Sequence, residues 1–367
     1  MLTMKYLKFH RISIVIANFL LIVFSCIATL CHAQSTPEKT LLALLKREHV
    51  LCVVDPVSFK IIARIPVGKD PHEVIASSDG KMAFVSIYGG GSLHELDVID
   101  LIAKKPLNAF DTKPLHGPHG LTFVNGKAWF TAEGSKAIGR YDPVTETLDW
   151  CMGTGQDKTH MIYVTDDAKR IYTTNVSSGT VSILVDTLRQ PGKMPVPPGN
   201  QQQMKHPAGN PPLGFGPHED WGQTIVPAAK GAEGFDVSPE GKELWAAASD
   251  DGSITIIDVM AKKVISKIDA KIFGANRLKF TPDGKLVFIS SLRDGQLFIY
   301  DAATRKELKH LNVGHGAAGI LMDPDGSRAF VACSADDYIA VVDLKTLIVT
   351  THFDVGGEPD GLAWAIH

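Results

Sequence analysis

Cysteine is scarce: five residues in 367, and two of them, Cys26 and Cys31, fall in an apolar stretch at the start of the chain. The other three, Cys52, Cys151 and Cys333, cannot close a disulfide framework, and no Cys-x-x-Cys or haem-attachment spacing exists. They read as small hydrophobes within strands. A phosphate-cradling loop is also missing, because Gly89-Gly90-Gly91 lacks the Lys-Ser/Thr sequel such a loop needs. There is no Gly-x-Ser-x-Gly elbow and no His-Glu-x-x-His pair, which removes the usual serine-hydrolase and zinc-protease signatures. No helical periodicity of any length follows residue 40, so an α/β architecture is excluded. Basic runs are absent too. Setting aside Lys5, Lys8 and Arg11, the 37 Lys+Arg fall to 34 against 40 Asp+Glu, a formal charge of −6. That balance argues against nucleic acid or an anionic membrane surface as partner.

What is present begins with a three-part leader. Lys5, Lys8 and Arg11 form a basic start, Ile12 to Leu30 is almost wholly apolar, and Cys31-His32-Ala33 supplies a small residue at a cleavage point. Residues 1–33 therefore read as a secretory signal, which places the mature chain in the periplasm or outside the cell. The apolar run is long for a signal, and an uncleaved anchor is the alternative, and with it the one route to a membrane. The remainder, with 44% hydrophobic and 21% charged residues over the whole chain, is globular.

An internal repeat organises residues 40–367. PHEVIASSDGKMAFVS from Pro71 recurs as PHGLTFVNGKAWFTA from Pro118, THMIYVTDDAKRIYTTN from Thr159, AEGFDVSPEGKELWAAA from Ala232, ANRLKFTPDGKLVFISS from Ala275 and AAGILMDPDGSRAFVAC from Ala317. A seventh copy, PDGLAWAIH from Pro359, runs to the C-terminus. A third strand ending in aspartate follows each pair, at Asp55, Asp100, Asp142, Asp186, Asp258, Asp301 and Asp343, with spacings of 45, 42, 44, 72, 43 and 42 residues. Both markers give seven. Asp-Gly, Asn-Gly and Glu-Gly pairs such as Asp79-Gly80 and Asn125-Gly126 suit tight hairpins, and the terminal aspartates suit turns that bond their own backbone. Four-stranded sheets repeated around an axis form a β-propeller. The expected fold is all-β, with seven four-stranded antiparallel blades. The final strand, Asp360 to Ile366, joins Leu41–Lys46, Val50–Asp55 and Lys60–Pro66 in one blade that closes the ring. The long interval holds a Pro/Gly-rich loop over 189–220, with 13 Pro or Gly in 32 residues, between a third strand and a fourth at Gln223–Ala228. It reads either as a surface excursion or as a lid or docking arm.

These units resemble the YVTN-type β-propeller repeat, most clearly at Glu233-Gly234-Phe235-Asp236-Val237-Ser238-Pro239-Glu240-Gly241-Lys242 and at Phe280-Thr281-Pro282-Asp283-Gly284-Lys285. The YVTN tetrapeptide itself is worn, as Phe84-Val85-Ser86-Ile87 and Tyr172-Thr173-Thr174-Asn175. The resemblance implies an exported seven-bladed propeller and leaves activity open, since related propellers include lactonases, streptogramin-type lyases and electron-transfer subunits.

In such a ring the starts of the innermost strands converge on one mouth of the axial channel. Those positions are His72, His119, His160, Glu233, Asn276 (with Arg277 beside it), Ala318 and Asp360. Loops opening on the same face bring Arg47, Tyr88, Glu133, Asn175, Asp250, Arg293 and Asp336, with His116 and His315 nearby. Two readings remain: polar groups that meet channel water, or a ligand site. In the second, the mouth recognises a small polar molecule, an ion or a peptide, and the protein acts as a monomeric binding or scaffolding module. The alternative is a lactonase- or lyase-like enzyme, with His160, Glu233 and His119 as acid–base candidates. His72, His119, His160 and Glu233 could also hold a divalent transition metal, with Glu73 or Glu133 orienting a liganded imidazole.

Overall fold

In the computed structural model, residues 38–189 and 218–367 are described. The leader over 1–33 and the Pro/Gly-rich stretch between the third and fourth strands of one blade lie outside them. Seven antiparallel four-stranded blades surround a common axis, as the repeat predicts. The blades are numbered here by their inner strands: Pro71–Ala76, Pro118–Val124, Thr159–Val164, Ala232–Val237, Ala275–Phe280, Ala317–Met322 and Pro359–Ile366. Blade 7 is composite. Its inner strand pairs with Lys39–Leu45, which pairs in turn with Val50–Val54 and then Ile61–Pro66. No helix among the described residues is long and apolar enough to cross a membrane.

The hydrophobic core is a ring of seven clusters, one between each pair of adjacent blades. Strand periodicity explains how one strand serves two clusters, because successive side chains point to opposite faces. On Lys39–Leu45, Leu42 and Leu44 pack toward blade 1, whereas Leu41, Ala43 and Leu45 pack toward blade 6. A strand buried on both faces reads as a continuous apolar run, and LLALL at 41–45 is one. Large aromatics on the second strands fill these clusters: Phe84, Phe130, Tyr172, Trp245, Phe288 and Phe330 are all essentially inaccessible.

The turns behave as their composition requires. Gly80, Gly126, Gly241, Gly284 and Gly326 all take positive φ between the first and second strands. Six of the seven terminal aspartates accept backbone N–H groups two or three residues on: Asp55 from Val57, Asp100 from Ile102, Asp142 from Val144, Asp258 from Met260, Asp301 from Thr304 and Asp343 from Thr346. Asp186 differs because the strand does not stop there. Thr180–Arg189 continues past it and pairs residue for residue with His218–Pro227, so the fourth strand starts earlier than composition suggests. Of the cysteines, Cys52 and Cys333 are buried within strands as expected, whereas Cys151 lies exposed on the outer strand of blade 2.

Blades are joined near the axis by buried hydroxyls on the second strands. Thr131 Oγ1 accepts the Gly120 N–H of its own blade at 2.9 Å and donates to the His160 carbonyl of the next. Thr174 reaches the Glu233 carbonyl at 2.9 Å and Ser290 the Ala318 carbonyl at 2.6 Å, and just past the second strand of blade 6 the half-buried Ser334 reaches the Pro359 carbonyl at 2.6 Å. Each second-strand hydroxyl satisfies an inner-strand carbonyl at the bulge that interrupts the ladder. Thr131→Val keeps the shape and strands two buried backbone groups, which costs about 1–3 kcal/mol. Thermal denaturation should show a lower midpoint for Thr131→Val and a near wild-type midpoint for Thr131→Ser. Equal midpoints for the Val and Ser variants would refute the bridging role.

Candidate functional site

The second residue of each inner strand faces the axial mouth, and these strands stand unusually close. Directly after the mouth residue, blades 2, 4, 6 and 7 carry glycine. A Cβ on Gly120 would lie 2.5 Å from the His160 carbonyl oxygen, one on Gly234 2.6 Å from that of Asn276, and one on Gly361 2.6 Å from that of His72. Gly319 is equally tight against Asp360. The missing side chains let neighbouring inner strands approach backbone to backbone. The imidazoles of three blades meet: ring centroids are 4.8 Å apart for His72 and His119, and 4.0 Å for His119 and His160, the pair whose strands Gly120 lets together. Tyr88 packs against the first two at 4.7 and 5.2 Å.

A cavity of about 310 Å³ opens at this mouth. Of the expected residues it brings together His72, His119, His160, Glu233, Asn276, Arg277, Asp360, Glu133, Tyr88 and Ala318. Lys46, Lys158, Leu292, Ser334 and Glu358 complete the lining and were not singled out from sequence. Two expected ligand-binding residues do not line it. Asn175 is fully buried, and its amide is bonded to Thr159, Thr180 and Ser182, where it pins strands. Arg47 is an exposed ion-pair partner of Asp337. Among the other loop residues, Arg293 lies over the Phe273 ring at 5.9 Å, Asp250 takes a bond from Ser249, and Asp336 receives the His315 backbone N–H at 2.6 Å. His116 and His315 are exposed and lie outside the lining.

The lining is tied into a nearly continuous polar circuit. Tyr88 donates to Glu133 Oε2, and His160 Nδ1 bonds Glu133 Oε1. His160 Nε2 then faces Glu233 Oε1 at 3.7 Å, and Asn276 donates to that same oxygen at 2.7 Å. The Arg277 guanidinium bonds Asn276 Oδ1 at 3.2 Å, pairs with Glu73 from the other side of the ring and approaches Asp360 at 3.8 Å. Lys46 lies 3.5 Å from Asp360 and donates to His72 Nε2 at 3.0 Å, while His72 Nδ1 donates to the Asp70 carbonyl at 3.1 Å. Of the two carboxylates expected to orient an imidazole, Glu133 does so and Glu73 holds Arg277 instead. His119 Nδ1 and His160 Nε2 are buried with no hydrogen-bond partner.

Burial sets the electrostatics. It drives His119 well below the ordinary histidine range, with the charges of His160, His72, Arg277 and Lys46 acting in the same direction. His72 is lowered too, first by burial and then by Lys46. For Glu133, burial alone would raise the carboxyl, but bonding to His160, the charge of that ring and the Tyr88 hydroxyl bring it below its usual value. Arg277 is wholly enclosed. Burial opposes its charge, and Glu73, Asp360 and Glu233 more than offset that.

No protein-family model matches this chain, and no curated protein does. Solved structures do share the fold. A functionally unknown protein from Desulfotomaculum acetoxidans superposes with a TM-score of 0.66 at 10% identity, over 89% of this chain and 98% of its own. A "putative 6-phosphogluconolactonase" from Bacteroides fragilis gives 0.66 at 14%, covering 90% and 99%. Another so described, from Bacteroides uniformis, gives 0.65 at 15%, covering 89% and 99%. At such identities the likeness concerns architecture alone.

The depressed histidines have a consequence for stability. In the folded protein His72 and His119 resist protonation, whereas in the unfolded chain they titrate near 6.5. As pH falls below that value the unfolded state takes up protons that the folded state refuses, so this stability is present above pH 6.5 and is lost on acidification. Each group contributes up to about 1.4 kcal/mol per pH unit in that range. Urea denaturation from pH 7.5 to 5 should show falling stability, with a shallower slope for His119→Gln. An identical slope in that variant would contradict the assignment.

Proposed function

We propose that the axial cavity binds a small, highly oxygenated molecule such as a hydroxy acid, a sugar or a sugar lactone. The observation that carries the reading is the lining itself. In a space near the lower end of the range for small-molecule pockets, about 300–1,000 Å³, donors and acceptors alternate around a ring instead of presenting an apolar wall. Lys46, Asn276 and Lys158 offer donors, and Glu233, Glu358 and Asp360 offer acceptors. A polyhydroxylated ligand matches alternating partners of this kind, and an apolar ligand would strand them. In this reading the protein is an exported YVTN-type propeller that works as a binding module, supported by the leader layout over 1–33 and the repeat pattern. Calorimetric titration with gluconate and glucono-lactone should give saturable binding that Lys158→Ala and Glu358→Gln each weaken severalfold. Neither probe binding, or both variants binding as wild type, would sink the reading.

A second reading, an acid–base enzyme, is favoured by one feature. Glu133 holds His160 by Nδ1 and leaves Nε2 unbonded and facing Glu233 at 3.7 Å, the arrangement in which an imidazole accepts a proton from a water or hydroxyl brought to that side. The named activity of the two Bacteroides neighbours is compatible with this but is a property of those proteins. Lactone hydrolysis by wild type, reduced at least about 100-fold in His160→Gln, would support it. No turnover of a lactone panel between pH 5 and 9 would leave binding as the function.

A further inference from the structure

We propose that His119, His160 and Glu233 form a site for one divalent first-row transition-metal ion at the mouth of the cavity. The proposal rests on the cavity being the functional centre and goes beyond ligand binding by naming what anchors the ligand.

Geometry carries the argument. His160 is fixed at Nδ1 by Glu133, so Nε2 is its free end, and that atom is buried without a partner. Glu233 Oε1 faces it at 3.7 Å. This exceeds a hydrogen bond, which ends at about 3.2 Å. It is close to the roughly 3.4 Å that separates two donors each about 2.0–2.1 Å from a tetrahedral ion. A nitrogen and a carboxylate oxygen thus face each other across a gap of about the width that one cation spans. His119, only 3% exposed, stacks on His160 and also has a buried nitrogen without a partner. Two adjacent orphaned imidazole nitrogens in one protein demand an explanation, because buried polar atoms are almost always paired.

The surrounding contacts decide which groups are ligands. Donor atoms of His119, Glu133 and His160 all lie within 4.8 Å of one another. Both oxygens of Glu133 are engaged, however, one by the His160 imidazole itself and the other by Tyr88, whereas Glu233 accepts a single bond, from Asn276 at 2.7 Å, and keeps a second lone pair on that oxygen. Glu133 is therefore a positioning residue that orients the liganding imidazole, and Glu233 supplies the carboxylate. His72 drops out of the ligand set because Lys46 and the Asp70 carbonyl occupy both of its ring nitrogens. Two imidazoles and one carboxylate suit zinc or iron, whereas calcium and magnesium prefer all-oxygen shells. Three protein ligands leave coordination positions for an oxygen of a molecule in the cavity.

The test uses the whole purified protein, stripped with a chelator and titrated with zinc by calorimetry and with cobalt by visible absorption. The expected result is one ion per chain, with intense cobalt bands of a four- or five-coordinate site. Glu133→Gln should weaken zinc binding about 10–100-fold and shift the cobalt band while the stripped protein keeps its thermal midpoint. Glu233→Gln should weaken zinc at least as much. Failure of folded wild type to bind a stoichiometric ion overturns the proposal without need of any variant, and so does wild-type affinity in Glu233→Gln. Gluconate titrated into both stripped and zinc-loaded protein separates the two ideas. Gluconate binding without a metal site defeats only this inference, and zinc binding without gluconate binding defeats only the ligand reading.

Discussion

The close approach of neighbouring inner strands is the constraint on which the rest of the molecule depends. Four glycines, Gly120, Gly234, Gly319 and Gly361, remove the Cβ atoms that would otherwise strike the carbonyls of the next blade. Seven wedges could close into a wider ring without them, but the mouth residues would then sit beyond one another's reach. With the strands this near, second-strand hydroxyls span from blade to blade, and side chains far apart in sequence come into contact. Glu73 and Arg277, 204 residues apart, form a buried ion pair only because the ring is that tight. A buried pair is weak evidence of net stability, since desolvation offsets much of the attraction. Its clearer role is to commit two charged side chains one residue deeper than the mouth and so to fix the polar circuit above them.

The architecture was legible in the sequence because every repeat solves the same packing problem. Alternating apolar residues, a positive-φ turn residue (glycine in five blades, Ala168 in blade 3) and a terminal aspartate recur where a blade must pack two neighbours and turn, and closure by the termini follows from where the copies start and stop. The mouth residues were legible for the same reason, since His72, His119, His160 and Glu233 hold equivalent positions in successive units. Loop residues were harder to place. Lys46 lines the cavity and Arg47 does not; Leu292 lines it and Arg293 does not. A one-residue step at a strand end turns the side chain to the opposite side, and composition cannot fix that phase. Asn175 misled differently. A polar residue at a strand end serves equally well as a ligand or as a fastener of its own hairpin, and here the hairpin takes it.

The contact between inner strands was invisible to sequence in one further respect. Equivalent positions in a seven-fold ring suggest side chains that surround a water-filled channel, yet His119 and His160 stack at 4.0 Å. Gly120, which permits this, sits one residue after His119 and looks like an ordinary repeat letter. Its meaning is steric and appears only when the next blade is in place.

The composite blade has a consequence for how the chain comes into being. Lys39–Leu45 and its inner partner, Pro359–Ile366, lie at opposite ends of the described residues, so one is made long before the other. Until Pro359–Ile366 is synthesised, its partner strands have an unpaired edge and an uncovered apolar face, and the loop to be closed spans all seven blades. Each inter-blade cluster needs both of its neighbours, so a partial ring leaves an open apolar flank at either end. Completion of the ring therefore waits on this one strand. A ring held open in this way exposes its apolar flanks and unpaired strand edges, and the chain is prone to aggregation for as long as the closing strand is missing.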